Sequence, residues 1–489
     1  MTLYFTEMWE RFSYYGMRAF LLYFMLAPVA MGGLGFSIAK GTLVYGTYTM
    51  AVYLLSIPGG FISDHFLGAH RSVLIGAVGI ALGHFVLATP YAQSFALGLS
   101  LIVVGTGLLK PNISAMVGEL YGPGDERRDA GFSIFYMGIN LGALLAPLVC
   151  GYLAQSVAFK EWLSTNGHDP NSSWHWGFAA SGIGMTLGIT QYVLGHRRLA
   201  RVGRPPDAGP RPWPKLWMVL GATAALIAVV ISSDLVPALA WLRYLYLGIP
   251  LAAIAWFGLG KNPSGKRIAA ILVFFAAATV FWAIYEQAGS TIALFGESLT
   301  DRTLPNGGAA RLGGFRFSVG SPFPASFFQS VNSAFILVMA PAFGWLWLKL
   351  GTRQPSSPVK FVLGLGFVCL SFLLMVPASY LTARGLVSPW WIIGLTFLQT
   401  AGELCISPVG LSLMTKLAPE KLVGFSLGIW FLASAYGNKL AGILAGGFTA
   451  TDPSRLAHSF LSEALWTGLT AAILLALVPW VRKLMGTVK

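Results

Sequence analysis

The chain has 489 residues, of which 55% are hydrophobic and 10% are charged, and its net charge at pH 7 is +14. Soluble globular domains carry about 25% charged residues, so this composition excludes that class and indicates a polytopic membrane protein. The mean hydropathy of +0.68 supports the same interpretation. Aromatic residues make up 13% of the chain, which is typical of interfacial belts and of an aromatic-lined interior.

Hydropathy along the chain predicts about fourteen spans of helical length. They lie at residues 4–28, 40–63, 72–91, 96–119, 130–156, 174–195, 216–234, 240–259, 267–295, 325–349, 358–380, 388–415, 423–448 and 459–482. The seventh and eighth spans contain almost no ionisable residue and follow a basic, Pro-rich connection. Without them, two groups of six remain, an organisation that suits a rocking transporter with a site at the membrane midplane.

This division predicts an all-α membrane protein of fourteen transmembrane helices. Residues 1–196 form the first six-helix bundle, residues 197–262 form a basic linker and an inserted hairpin of two membrane helices, and residues 263–489 form the second six-helix bundle. The inserted hairpin is expected to have a packing or lipid-facing role.

Lys and Arg are distributed unevenly around the spans. With the N-terminus in the cytoplasm, 20 of the 32 lie in cytoplasmic loops and the C-terminus, 8 lie in outer loops and 4 lie within spans. This bias follows the positive-inside rule and predicts a multi-pass protein with both termini cytoplasmic. Because the basic residues border membrane ends, the net charge does not indicate nucleic-acid binding. The three cysteines lie in apolar spans and show neither zinc spacing nor a disulfide framework.

The first span contains four charged residues, Glu7, Glu10, Arg11 and Arg18. An ionised side chain at mid-bilayer costs roughly 3 kcal/mol, so the cost must be compensated. On a helical projection these residues and Tyr14 fall within one stripe of about 100°. A stripe of alternating charge cannot face lipid, which places it against a wet or protein-lined interior. Neighbouring carboxylates resist double ionisation, so one of them is a candidate proton holder; the alternative is a purely structural row of ion pairs.

Four other spans carry polar side chains at membrane depth. They are Lys110 before Pro111, Tyr136 and Asn140 one turn apart, the group Trp282, Glu286 and Gln287, and Glu403 ahead of Pro408. The cations belong to the first half, whereas the lone carboxylates Glu286 and Glu403 belong to the second. A zwitterionic substrate lying across the two halves fits that distribution. Both carboxylates are candidate titrating groups, because burial penalises their charged form.

These motifs resemble those of the proton-dependent oligopeptide transporters of the major facilitator superfamily. The pattern Glu-x-x-Glu-Arg-Phe-x-Tyr-Tyr is met at residues 7–15, and "FYMGINLGA" and "GELCISPVGLSL" are similar to two further family patterns. "GGFISDHFLGAHR" resembles the superfamily's loop signature. The resemblance runs from the first span to the last, and the inserted hairpin is similar to that of the bacterial fourteen-helix members. The resemblance as a whole implies the major facilitator fold.

The resemblance also implies roles for individual residues. Arg11 and Lys110 would attract the peptide carboxylate, and Glu403 would hold the amino end. Further substrate-binding residues implied by the resemblance are Tyr14, Tyr15, Arg18, Tyr53, Asn140, Trp282, Asn332, Trp430 and Ser434. Glu7 and Glu10, exchanging partners with Lys110, would couple protonation to closure. Glu286 would be the other proton site and would pair with Arg18 across the halves as a gate salt bridge.

The implied function is proton-coupled symport of di- and tripeptides by alternating access. We expect a bacterial inner-membrane protein, monomeric and surrounded by lipid, that is driven by protons without a cofactor or metal. We expect neither enzyme activity nor catalytic residues. The alternatives are a carrier of another small solute, such as nitrate or a metabolite, and a non-transporting peptide sensor.

One departure from the family concerns histidine. Some animal members carry a His at the position occupied here by Gly46, so proton coupling is expected to rest on carboxylates. His84, the one well-immersed histidine in the spans, is expected to be a packing residue. Lys439 is expected to pair between helices or to snorkel rather than to contact substrate.

Overall fold

The structure is a computed structural model that describes residues 1–121, 125, 127–199, 202–204, 211–244, 256, 263–303, 311–312, 315–316, 321–417 and 423–486. The α-helices are α1 (Thr2–Leu26), α2 (Ile38–Leu54), α3 (Ser56–Ile62), α4 (Ala69–Leu87), α5 (Ser94–Glu119), α6 (Arg127–Gln155), α7 (Val157–Thr165), α8 (Ser173–Gly195), α9 (Trp213–Leu235), α10 (Pro263–Tyr285), α11 (Thr291–Ser298), α12 (Phe328–Leu350), α13 (Ser357–Leu381), α14 (Trp390–Leu417), α15 (Val423–Ala445) and α16 (Pro453–Met485).

Strand structure in the described residues is limited to one short antiparallel pair and two isolated bridges. In the pair, β1 (Arg311–Leu312) lies against β2 (Phe315–Arg316), and the bridges join Thr300 to Val387 and Thr303 to Pro322. Short 3₁₀ segments lie at Val29–Met31, Pro170–Ser172, His196–Leu199, Pro237–Tyr244, Glu286–Gly289, Ala325–Phe327, Gly351–Arg353 and Thr382–Arg384.

Helices occupy thirteen of the fourteen predicted spans within the described part of the chain. Ten helical stretches there are long and apolar enough to cross a membrane; α1, α8 and α15 occupy three further predicted spans. Most of the remaining predicted span, 240–259, and part of the basic linker lie outside the described residues. The described residues 240–244 of that span belong to the 3₁₀ segment Pro237–Tyr244. The membrane protein is therefore multi-pass and helical, as the hydropathy pattern predicts.

The predicted span 267–295 is interrupted rather than continuous. α10 ends at Tyr285, a 3₁₀ segment follows over Glu286–Gly289, and Ser290 leaves the helical region with φ −133° and ψ −90°. A Cβ at Gly289 would lie 2.0 Å from the hydroxyl oxygen of Tyr45 on α2. The interruption therefore lies where another helix approaches too closely for a side chain, and the hydropathy of the span does not reveal this contact.

The described chain divides into two compact units. The first comprises Met1–Gly41, Ala51–Leu226 and Asp301–Ala334, and the second comprises Thr42–Met50, Ile227–Thr300 and Phe335–Lys489, masked residues aside. α2, α9 and α12 each contribute residues to both units. The predicted boundaries after residues 196 and 262 stay a prediction.

In the first unit, α1 packs against α6 and α8, and α4 packs against α5 and α8. Paired glycines bring α4 and α5 together: a Cβ at Gly76 would lie 2.5 Å from the carbonyl oxygen of Gly105, and one at Gly83 would lie 2.7 Å from that of Gly98. Small residues let membrane helices approach closely and gain van der Waals contact. His84 is completely buried here, and its Nε2 lies 2.7 Å from the hydroxyl oxygen of Ser13, in agreement with the predicted packing role.

In the second unit, α13 packs against α14 and α16, and α10 packs against α15 and α16. The part of α2 that belongs to this unit approaches α15 at two glycines. A Cβ at Gly46 would lie 2.9 Å from the Cα of Gly442. A histidine at residue 46 therefore does not fit this packing, which gives a structural reason for the departure noted in the sequence.

Lys439 and Asp234 form a buried ion pair that joins α9, the first of the two helices predicted as an insertion, to α15. Their side chains are 2% and 4% exposed, and the Lys439 ammonium also donates to the hydroxyl of Thr47 on α2 at 2.7 Å. The predicted inter-helix pairing of Lys439 is confirmed. Within the second unit, this charge pair therefore fixes the end of α9 against α15.

Replacing Lys439 with methionine is expected to lower the free energy of unfolding by about 3–5 kcal/mol, because Asp234 loses its cation. Combining Lys439→Met with Asp234→Leu is expected to recover most of the loss. Thermal unfolding in detergent checks both results, with exposed Lys483→Met as the control. If the double variant loses as much as the sum of the single variants, the pair is not coupled.

Candidate functional site

In the first unit, the predicted charged stripe of α1 is a buried ion cluster. Arg11 Nε lies 3.0 Å from Glu7 Oε1 and also contacts Glu10 Oε2. The side chains of Arg11, Glu7 and Glu10 are 5%, 3% and 0% exposed. One guanidinium between two carboxylates compensates part of the cost of burying the three charges.

Aromatic rings lie beside the cations of this unit. The guanidinium carbons of Arg11 and Arg18 are 5.5 Å and 5.9 Å from the ring centroid of Tyr14. The Lys110 ammonium on α5 is 3.7 Å from the ring centroid of Tyr53. These distances allow cation–π attraction, which strengthens when the site is shielded from water. Within the first unit, Tyr14 therefore lies beside two cations of α1, and Tyr53 lies beside the cation of α5.

The motif "FYMGINLGA" lies on α6 and packs on α1 beside the ion cluster. A Cβ at Gly142 would lie 2.2 Å from the carbonyl oxygen of Met8 and 3.1 Å from the Cβ of Arg11. Asn140 is buried, and its amide donates to the carbonyl oxygen of Tyr136 at 2.9 Å. The close approach at Gly142 therefore fixes the distance between α6 and the ion cluster.

Replacing Gly142 with alanine is expected to push α6 away from α1 and to lower the free energy of unfolding by roughly 1–3 kcal/mol, the usual cost of overpacking. Gly221→Ala on α9 is the matched control, because an added Cβ there meets nothing within 4 Å. Thermal unfolding of the two variants measures the difference. Equal stability of both would show that α1 and α6 do not require this contact.

In the second unit, the predicted carboxylates lie on α14 and at the interruption after α10. Tyr285 donates to Glu403 Oε2 at 2.6 Å, and Glu286 is 6% exposed at the first residue of the 3₁₀ segment. The ring of Tyr285 stacks on Phe281 at 5.5 Å and meets Trp282 edge-on at 5.2 Å. The geometry thus holds Glu403 through a hydroxyl that is itself fixed by aromatic packing.

The aromatic residues predicted in this unit lie against glycines. A Cβ at Gly437 would lie 2.3 Å from the Cβ of Trp282, and one at Gly410, within "GELCISPVGLSL", would overlap the Trp430 ring. Trp430 and Ser434 are 4% and 5% exposed. Gly410 is required because the Trp430 indole occupies the space, and Gly437 is required because the Cβ and the backbone of Trp282 do.

Several predicted relations stay predictions. Asn332 lies among residues that group with the first unit, whereas Glu403 belongs to the second. Arg18 and Glu286 are both buried, and they also belong to different units. Tyr15 lies edge-on to Tyr14 with ring centroids 5.2 Å apart.

Sequence reasoning missed three residues beside the predicted carboxylates: Tyr285, Gln287 as a partner, and Glu463. Gln287 donates to Glu463 Oε2 on α16 and accepts from the hydroxyl of Thr291 at 2.5 Å. Glu463 carried the same signal as Glu286, since it is an acidic residue within a predicted span. In the part of the chain that the structure describes, no three His, Cys, Asp or Glu side chains are grouped as metal ligands would be.

Among the known proteins that this chain resembles, two peptide transporters and one solved structure match it over nearly its full length. The peptide transporter YePEPT of Yersinia enterocolitica is 36% identical, with 99% of this chain and 94% of the relative covered. A di-/tripeptide transporter of Lactococcus lactis is 36% identical, with 100% and 96% covered. The crystal structure of a mutant peptide transporter POT in complex with alafosfalin matches with a TM-score of 0.82 and 37% identity, covering 99% of this chain and 95% of that one.

The helical bundles with buried charges define a membrane transporter of the major facilitator fold. The model of the POT family matches residues 70–458. This chain belongs to the POT family, as its motifs predict, and it belongs to a family of transporters rather than enzymes.

Proposed function

We propose that the chain is a proton-coupled symporter that imports di- and tripeptides by alternating access. The observation that carries this proposal is the buried cluster of Glu7, Glu10 and Arg11, which the family signature places on α1. Charges are retained at membrane depth chiefly where they line ion or substrate pathways. Membership of the POT family and the relatives named as peptide transporters support it.

A peptide is a zwitterion and presents opposite charges at its two ends. Arg11 and Lys110 receive its carboxylate, and Glu403, with Asn140 and Asn332, receives its amino group. Tyr14, Tyr15, Arg18, Tyr53, Trp282, Trp430 and Ser434 complete the substrate-binding set. Glu403 disfavours a nitrate carrier, because an inorganic anion has no amino group for that carboxylate to bind.

Protons enter through Glu286 and through Glu7 and Glu10 in this proposal. Ionised Glu286 pairs with Arg18, and protonation releases that bridge, so both proton and peptide bias a two-state gate. A proton that crosses 100 mV supplies about 2.3 kcal/mol. This energy supports roughly 50-fold accumulation of a neutral substrate.

The protein is proposed to lie in the bacterial inner membrane as a monomer, with both termini cytoplasmic. Its partners are di- and tripeptides, protons and lipids, and it needs no bound cofactor. Two six-helix bundles, over residues 1–196 and 263–489, are proposed to move against each other during alternating access. Residues 197–262 form the insertion between them in the sequence.

The test is competition uptake in proteoliposomes with a panel of dipeptides at two external pH values. A labelled dipeptide is expected to accumulate at least tenfold when the outside is acidic, because a pH gradient adds to the driving force of the membrane potential. Unlabelled dipeptides should compete, and nitrate should not. Dipeptide binding without flux would favour a sensor, and nitrate-specific competition would favour an anion carrier.

A further inference from the structure

A second buried carboxylate lies beside the interruption that carries Glu286. Glu463 on α16 is 7% exposed and Gln287 is completely buried. The Gln287 amide donates to Glu463 Oε2, and the Ser459 hydroxyl donates to Glu463 Oε1 at 3.2 Å. In the described residues, Glu463 forms no ion pair with Lys or Arg.

Gln287 links this carboxyl to both sides of the interruption. Its amide also contacts the carbonyl oxygen of Ala283 in the last turn of α10 at 3.4 Å, and its Oε1 accepts from the Thr291 hydroxyl at the start of α11. The helical ladder is broken between these two points. One side chain therefore joins the end of α10, the beginning of α11 and α16.

Glu286 directly precedes Gln287 in the same 3₁₀ segment. A rotation or shift of this segment moves the Glu286 carboxyl together with the Gln287 amide, because only one peptide unit separates them. The backbone here lacks part of its regular helical hydrogen bonding, so side-chain hydrogen bonds determine its conformation to a larger extent than elsewhere in the helix. Gly289 adds a steric limit, since the Tyr45 hydroxyl occupies the space beside it.

We propose that Glu463 is a positioning residue for Glu286: by holding Gln287, it fixes the interrupted segment in the conformation that presents Glu286 for proton coupling. The inference rests on the proposed symport. Glu463 itself carries no proton in the transport cycle under this proposal; its carboxyl acts as a hydrogen-bonding partner.

Two substitutions separate positioning from proton carriage. Glu463→Gln keeps an oxygen that can accept from Gln287 but cannot ionise, and Glu463→Leu removes the acceptor. Gradient-driven dipeptide uptake is expected to fall about tenfold in Glu463→Leu, as for the loss of a buried hydrogen-bond partner. It is expected to stay within about threefold of wild type in Glu463→Gln. Counterflow of dipeptide without a proton gradient should change little in either.

Gln287→Leu provides the second variant, because it removes the other end of the same contact. It is expected to reproduce the loss of driven uptake with retained counterflow. The pair Glu463→Leu and Gln287→Leu together replaces a polar contact with an apolar one, so it should fold and still lack driven uptake. Thr470→Val on α16 is the matched control, since the Thr470 hydroxyl donates to the backbone carbonyl oxygen of Trp466 at 2.9 Å and takes no part in the Glu463 contact.

The outcomes are distinct. Full driven uptake in Glu463→Leu, or in the double leucine variant, overturns the positioning role. Loss of driven uptake in Glu463→Gln equal to that in Glu463→Leu also overturns it, because the ionisable group itself would then be required. If wild type shows dipeptide uptake that ignores the gradient, the proposed symport fails, a result that is seen before any variant is compared.

Discussion

Glu286→Gln is expected to abolish gradient-driven dipeptide uptake while leaving counterflow within about threefold of wild type. The amide keeps the size of the side chain and resembles a permanently protonated carboxyl. The proposed bridge to Arg18 would then never form, so the proton gradient could no longer bias the gate. Peptide exchange needs no net proton movement and should continue.

Glu297→Gln is the matched control for this substitution, because Glu297 is exposed near the end of α11. Uptake with and without an imposed pH gradient, measured on the same vesicles, separates coupling from expression. Retained gradient-driven uptake in Glu286→Gln would remove Glu286 from the mechanism. Loss of counterflow as well would assign it to substrate binding or folding instead.

Arg11→Met is expected to have the largest combined effect, because it removes the guanidinium that lies between the buried carboxylates of Glu7 and Glu10. Breaking a buried charge pair in this way costs about 3–5 kcal/mol of stability. The proposed contact to the peptide carboxylate is lost as well. Both driven uptake and counterflow should therefore fall by more than about tenfold.

Stability and binding are separated by a second set of variants. Combining Arg11→Met with Glu7→Gln and Glu10→Gln removes the charges together, and thermal stability should largely recover while transport stays lost. Arg353→Met is the control for removing an exposed arginine. If the triple variant regains counterflow, Arg11 serves only to neutralise the two carboxylates and does not bind peptide.

Arg11→Lys tests the geometry of the same contact. Lysine keeps the charge but presents a compact ammonium instead of the planar guanidinium that reaches two acceptors at once. We therefore expect better folding than in Arg11→Met, with KM for dipeptide still raised.

Local sequence predicts the helices of this chain well because membrane spanning imposes a long apolar run. The same reasoning finds the charges of α1, since four ionisable residues in one span demand an explanation. It also identifies Glu286 and Glu403 as acidic residues within predicted apolar spans. Each of these inferences uses only residues within a few helical turns of the residue in question, and the sequence shows those residues directly.

Partners from distant parts of the chain are not visible in this way. Lys439 and Asp234 are 205 residues apart, and Gln287 and Glu463 are 176 residues apart. Their pairing depends on how α9, α10, α15 and α16 pack, which no local pattern specifies. The interruption at Glu286–Gly289 similarly lies against Tyr45, a residue on another helix. The sequence does show Glu463 as an acidic residue within a predicted span, but it does not show that Gln287 is its partner.

The coupling of protons to peptide is tested most directly by measuring whether protons enter vesicles together with the peptide. A pH-sensitive dye is enclosed in proteoliposomes, no pH gradient is imposed, and a neutral dipeptide such as Ala-Ala is added outside. Wild type is predicted to acidify the lumen as the peptide enters, whereas Glu286→Gln vesicles should not. Dipeptide entry into wild-type vesicles with no change of internal pH would contradict the coupling of protons to peptide.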